Sequence, residues 1–225
     1  MTVEGVLFDV DGTLLNTERL YMEAWRKAAI RQGFRMDEEY LLKTRAMDKN
    51  TAMKLFDEYY GSDYDYMTTW KLRVEIAEDV IDNLEEPSRL YKPGVPEIFD
   101  WLDAHGIRKA AASGTGYAIG HKHLVATKIS DRFPVQINGD MVERGKPFPD
   151  IFLRAAQEIG VSPEKCIVCE DSRAGIEAAA AAGMMPVFIE DCVPINDRVR
   201  ELACAILPTL KELPALIEKI NRAQR

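Results

Sequence analysis

Sulfur and imidazole are scarce in this chain: four cysteines and three histidines in 225 residues. Four cysteines spread through a chain this long do not read as a disulfide framework, and reduced thiols are expected. Cys166 and Cys169 have the spacing of a metal or redox pair. They flank Ile167 and Val168 in a predicted strand, however, and strand residues three apart face opposite ways. Both read as small buried hydrophobes. His121 and His123 alternate within a predicted helix, where residues two apart do not face each other, so solvated surface positions are expected for them. His105 reads as a favourable charge near the carbonyls of a helix end.

Long apolar runs are also missing. No stretch of about 18 apolar residues is present, which excludes a membrane-spanning helix. A basic, apolar leader is not evident at the start, so a cytoplasmic location is expected. Positive charge is the minority sign, 29 Lys and Arg against 37 Asp and Glu, for a formal net charge of −8. That balance argues against nucleic acid as a partner. A small phosphorylated metabolite stays compatible, because the local field outweighs the total charge. A monomer is expected.

The chain holds 47% hydrophobic residues, enough for one sizeable core or a core carrying an insertion. Val6-Leu7-Phe8 reads as a strand buried on both faces, followed by Asp9-Val10-Asp11-Gly12-Thr13 where the strand gives out. Helical periodicity covers residues 17–33, 38–43, 51–60 and 67–84, with no convincing strand between 17 and 87. From residue 92 the pattern alternates. Strands are predicted at 108–112, 135–137, 166–169, 186–189 and 205–207. Helices are predicted at 96–106, 117–127, 149–160, 172–182 and 195–203, with a last one from 210. Alternation of this kind predicts an α/β fold with a parallel sheet covered on both sides. The expected domains are an α/β core of residues 1–16 and 88–225 and an all-helical insertion of residues 17–87. No internal repeat or low-complexity tract is visible.

Four separated segments suit one phosphate-handling site. They are Asp9-Val10-Asp11-Gly12-Thr13, Ser113-Gly114-Thr115-Gly116, Gly145-Lys146-Pro147 and Glu170-Asp171-Ser172. Three of them follow predicted strands, and in open α/β sheets the ligand crevice lies beyond the strands' carboxyl ends. A carboxylate approaching a phosphate dianion at roughly 4 Å meets about 4 kcal/mol of repulsion per pair of unit charges at an effective dielectric near 20. Positive charge must offset it. Asp9 and Asp171 are suited to Mg²⁺, a hard ion that prefers oxygen, and Lys146 supplies a further positive charge. Ser113, Thr115 and the backbone N–H groups of their stretch, Gly114 included, can bind phosphoryl oxygens.

In this order the four segments resemble the haloacid dehalogenase superfamily of phosphotransferases. The longer strings Gly145-Lys146-Pro147-Phe148-Pro149-Asp150-Ile151-Phe152 and Glu170-Asp171-Ser172-Arg173-Ala174-Gly175-Ile176 are similar to its β-phosphoglucomutase-like and sugar-phosphatase members. The resemblance implies a Rossmann-like parallel core with an inserted helical cap. It further implies that Asp9 is the nucleophile forming an aspartyl-phosphate, and that Asp11 is the acid and base. Mg²⁺ is implied on Asp9, the Asp11 backbone carbonyl and Asp171, with Glu170 contributing directly or through water. In the insertion, Tyr21, Arg45, Asp48 and Lys49 are substrate-contact candidates. The expected activity is a Mg²⁺-dependent phosphatase acting on a sugar, polyol or nucleoside monophosphate. A phosphomutase is the alternative, weakened because Tyr21 stands where those mutases hold a histidine. A catalytically silent binding protein is the second alternative.

Overall fold

The computed structural model describes residues 2–44, 49–192 and 194–223. It divides into two compact units, one of Met1–Asn16 with Glu86–Arg225 and one of Thr17–Glu85. The first unit is built on β1 (Gly5–Phe8), whose four residues are all buried. The second unit follows directly with α1 (Thr17–Arg31), α2 (Glu38–Thr44), α3 (Lys49–Tyr60) and α4 (Tyr66–Asp82). The chain then returns to the first unit through α5 (Val95–Ala104), β2 (Arg108–Ser113), α6 (Tyr117–Ala126), β3 (Gln136–Asn138), α7 (Asp150–Ile159) and β4 (Cys166–Glu170). It finishes with α8 (Arg173–Ala181), β5 (Met185–Ile189), α9 (Asp197–Leu202), β6 (Ala205–Leu207) and α10 (Leu213–Arg222). The last helix starts later than its periodicity suggests, because Leu210–Glu212 form a tighter turn capped by Thr209.

The six strands pair in parallel in the order β3-β2-β1-β4-β5-β6. β1 is therefore central, which explains why Val6, Leu7 and Phe8 are all apolar. Side chains alternate between two layers. Val6, Phe8, Ala111, Ile167, Cys169 and Val187 join the core on one face with Phe99 and Leu102 of α5 and Ile217 of α10. Leu7, Ala110, Ala112, Cys166 and Val168 join the other with Ile151, Phe152 and Ala155 of α7. Cys166 and Cys169 are thus buried in opposite layers. Phe8, Phe99 and Phe133 meet edge to face, with ring centroids 5.1–6.2 Å apart. Truncating a buried phenylalanine of this kind costs about 3–5 kcal/mol.

The helical unit has its own core of Trp25, Ala29, Met36, Leu41, Ala52, Phe56, Tyr64 and Tyr66. Asp65 caps α4, accepting from Thr68 N at 2.9 Å and Thr68 Oγ1 at 2.7 Å. Where the chain leaves and re-enters the first unit its two passages are bonded together: Asn16 N donates to Leu90 O and Lys92 N to Leu14 O. Among the described residues no helix is long and apolar enough to cross a membrane.

Candidate active site

Three strands end on one rim, and each delivers polar side chains there. Asp9 follows β1 and continues its ladder, its N–H donating to Cys169 O at 3.0 Å. Ser113 closes β2, Glu170 closes β4 and Asp171 comes next. Asp9, Ser113, Glu170 and Asp171 are all buried. The turn after β1 requires Gly12. Its φ is +90°, and a Cβ there would stand 2.3 Å from Asp171 Oδ2. The absent side chain is what allows the Asp171 carboxylate to lie against the β1 turn, where Thr13 Oγ1 also reaches Asp171 Oδ1 at 3.2 Å.

Lys146 arrives from the loop before α7 and joins these pieces. Its ammonium donates to Asp9 Oδ1 at 2.5 Å, Glu170 Oε1 at 2.7 Å and Ala112 O at 3.1 Å, matching its three N–H bonds. It also lies 4.9 Å from the Phe152 ring centre. Burial alone would lower the Lys146 pKa, but the Asp9 and Glu170 charges outweigh it and hold the ammonium above the ordinary lysine range. Asp9 is pushed well above the usual carboxylate range, chiefly by burial; Lys146 opposes that shift, while Glu170 and Asp11 add to it.

The loop carrying Lys146 is clipped shut by Arg144, whose fork reaches Asp150 at 3.1 and 2.9 Å across residues 145–149. Glu170 is fully engaged, accepting from Lys146 on Oε1 and from Ser172 N on Oε2 at 2.7 Å. Space for it depends on Gly175, where a Cβ would overlap the Glu170 carboxyl carbon at 1.9 Å. Asp11 Oδ2 accepts from Thr115 Oγ1 at 2.9 Å and from Ser113 Oγ at 3.3 Å. Ser113 Oγ in turn accepts from Thr115 N at 3.1 Å. The hydroxyls expected on phosphoryl oxygens therefore rest on Asp11, and Gly114 lies between them with open space at its Cα.

Four carboxylates (Asp9, Asp11, Glu170 and Asp171) meet one ammonium on this rim. The acids outnumber that ammonium, and the donor set is hard oxygen throughout. Both features fit Mg²⁺. Among the described residues no group of three or more His, Cys, Asp or Glu side chains forms a metal cage. Mg²⁺ does not need one, since it is held by one or two carboxylates and keeps several waters. Both Glu170 oxygens have a protein donor, Lys146 on one and Ser172 N on the other, and a carboxylate so held keeps further lone pairs for a water or an ion.

His123 departs from expectation. It is 1% exposed, not solvated, and its Nδ1 lies 3.9 Å from Asp11 Oδ1. The signal was present in the sequence: Gly120, His123, Leu124 and Thr127 share the helical i, i+3, i+4, i+7 spacing, and all four are buried. His121 is partly buried, hydrogen-bonded to Gln136 Oε1 at 3.0 Å and stacked on Tyr117. His105 lies at the expected helix end, its ring nitrogen 2.8 Å from Trp101 O of α5. Within the helical unit, Tyr21 donates to Glu78 Oε1 at 3.2 Å, and its ring lies 4.9 Å from the Arg73 guanidinium. Arg45 and Asp48 lie outside the described residues, and Lys49 opens α3.

Comparison with known proteins gives the same family as the motifs. A model of haloacid dehalogenase-like hydrolases matches residues 3–183. A phosphorylated carbohydrates phosphatase of Thermotoga maritima is 31% identical over 192 residues, covering 83% of this chain and 84% of that protein. The beta-phosphoglucomutase of Bacillus subtilis is 27% identical over 198 residues, covering 86% of each. A crystal structure of a CbbY mutant from Rhodobacter sphaeroides in complex with xylulose-(1,5)bisphosphate superposes with a TM-score of 0.74 at 26% identity, covering 94% of this chain and 96% of that one. The chain belongs to the haloacid dehalogenase-like hydrolases.

Proposed function

We propose that this protein is a phosphatase of small phosphorylated carbohydrates, working through a phosphorylated Asp9. The observation that carries the reading is the Lys146 ammonium bridging Asp9 and Glu170, with a second acid, Asp11, two residues along the same turn. Asp9 attacks the phosphorus atom and the alcohol leaves, taking a proton from Asp11. Asp11 then accepts a proton from the water that hydrolyses the aspartyl-phosphate. Ser113 and Thr115 turn their hydroxyls from Asp11 to the phosphoryl oxygens, and the Gly114 backbone lies beside them. Lys146 favours the ionised form of Asp9 and opposes the charge of the incoming dianion. Mg²⁺, held by Asp9, the Asp11 backbone carbonyl and Asp171, would supply the remaining positive charge.

The carbohydrate class is supported by the relatives, whose names specify phosphorylated carbohydrates and a sugar bisphosphate. Selection among such substrates is assigned to Tyr21, Arg45 and Lys49 of the helical unit. Release of phosphate from p-nitrophenyl phosphate tests the reading. Turnover is expected with Mg²⁺, lost on chelation and absent in Asp9→Asn, whose circular dichroism should match the parent. A preparation inactive on every phosphorylated sugar would refute it. Likeness to a beta-phosphoglucomutase raises the alternative that the phosphoryl group returns to the sugar. Conversion of β-glucose 1-phosphate to the 6-phosphate without free phosphate would establish that outcome instead.

A further inference from the structure

We propose that His123 is a positioning residue for Asp11, holding the Oδ1 side of that carboxylate so that its orientation survives both halves of the reaction. The inference rests on the assignment of Asp11 as acid and base. His123 lies on α6, 1% exposed, with Nδ1 3.9 Å from Asp11 Oδ1. Thr115 and Ser113 hold the opposite oxygen, Oδ2. The carboxylate thus accepts hydroxyl hydrogen bonds from a loop on one oxygen, with the imidazole of a helix within ion-pair distance of the other. Burying an imidazole costs desolvation that an apolar side chain would not.

The helix carrying the imidazole is itself anchored. Tyr117 N donates to both Asp140 oxygens at 3.0 Å, capping the first turn. At Gly120 the backbone lies so near Asn138 that a Cβ would be 2.5 Å from Nδ2. Thr127 closes the last turn with its N–H and hydroxyl on His123 O. An imidazole on so fixed a helix can hold a carboxylate in place. Its importance grows during turnover. Once substrate draws the Ser113 and Thr115 hydroxyls to phosphoryl oxygens, the grip on Oδ2 is released while the His123 contact stays with the protein. Asp11 must then hold its direction while giving a proton to the leaving oxygen and taking one from water.

The test compares two leaving groups in the full chain with Mg²⁺. p-Nitrophenolate departs without help, whereas phenolate from phenyl phosphate needs a proton more. His123→Leu removes the polar contact, and His123→Asn keeps a nitrogen at the Nδ1 position. Loss of orientation of this kind is worth roughly tenfold to a hundredfold in rate. For His123→Leu we expect kcat on phenyl phosphate to fall by that factor with KM within about twofold, on the same principle. Phosphoenzyme formation from p-nitrophenyl phosphate should be nearly unchanged and its hydrolysis slowed, so a p-nitrophenol burst larger than the parent's should appear. His123→Asn should restore most of the rate. If His123→Leu does not fold, His123→Asn and His123→Gln decide, since Gln displaces the amide by one bond: Asn should resemble the parent, and Gln should show the phenyl phosphate deficit. Equal losses in the rate of phosphoenzyme formation from both substrates, an unchanged rate of phosphoenzyme hydrolysis, or a change in KM alone, would overturn the role of His123 and leave the phosphatase reading standing. A parent protein inactive on both esters and on every phosphorylated sugar would overturn the phosphatase reading, and this inference with it.

Discussion

Replacing Lys146 by methionine should destabilise the fold as well as stop turnover, and the two effects can be separated. The ammonium is 2.5 Å from Asp9 Oδ1 and 2.7 Å from Glu170 Oε1, with both acids buried. Methionine fills most of the same volume, so the packing against Phe152 is largely kept. What remains is two buried carboxylates without their shared cation. Breaking a buried pair from one side costs about 3–5 kcal/mol, because the partner's charge is left unpaired. For a chain of this size each kcal/mol shifts Tm by roughly 2–4 °C, so a fall of roughly 6–20 °C is expected. The deficit should depend on pH in a definite direction. A carboxyl whose folded pKa is raised, as at Asp9, is stabilising at low pH, and that contribution is lost as pH rises through the folded value. The Lys146→Met deficit should therefore shrink on acidification towards the ordinary carboxylate range. Adding Glu170→Gln should recover part of the stability without recovering turnover. Thermal scans against pH, with and without Mg²⁺, are the assay. A Lys146→Met protein as stable as the parent at neutral pH would refute the argument.

Gly12→Ala forces a side chain into a φ of +90° and against Asp171 Oδ2, so it should weaken the apparent Mg²⁺ affinity by roughly tenfold, raising the Mg²⁺ concentration needed for activity, and lower stability by about 1–3 kcal/mol; a magnesium titration and a melt check both. Tyr64 is buried in the helical unit, and burial raises its pKa to about 12. Stability from keeping it protonated is complete below pH 10 and lost as pH rises towards 12, so Tyr64→Phe should flatten the alkaline loss of helical signal in that window. Severing the Arg144–Asp150 clip with Asp150→Asn should lower kcat severalfold by loosening the Lys146 loop, and the charge-reversed pair Arg144→Asp with Asp150→Arg should recover part of it. Steady-state kinetics of the single and paired variants decides that point.

Much of this fold can be read from residues met in order. The apolar run Val6-Leu7-Phe8, the alternation of strands and helices after residue 92 and the four polar segments are local patterns, and local patterns survive in a linear string. Cys166 and Cys169 could be assigned to opposite faces from strand geometry alone. His123 could not be assigned so easily. Judged against its nearest histidine it looked solvated, yet the helix face it occupies is defined by Gly120, Leu124 and Thr127, all buried, and its imidazole meets Asp11 from near the start of the chain. Glu170 shows the same boundary: its place in a motif was legible, but the occupation of both its oxygens by Lys146 and Ser172 was not.

The sequence by itself determined the class of fold, the helical stretch inside it and the residues able to perform phosphate chemistry, because these follow from periodicity and from the chemistry of side chains at strand ends. Tertiary structure alone decided the strand order with β1 at the centre, the single ammonium shared by Asp9 and Glu170, and the imidazole behind Asp11. Each of those joins residues far apart in sequence, and such pairings depend on how the sheet and its covering helices pack rather than on any local preference of the chain.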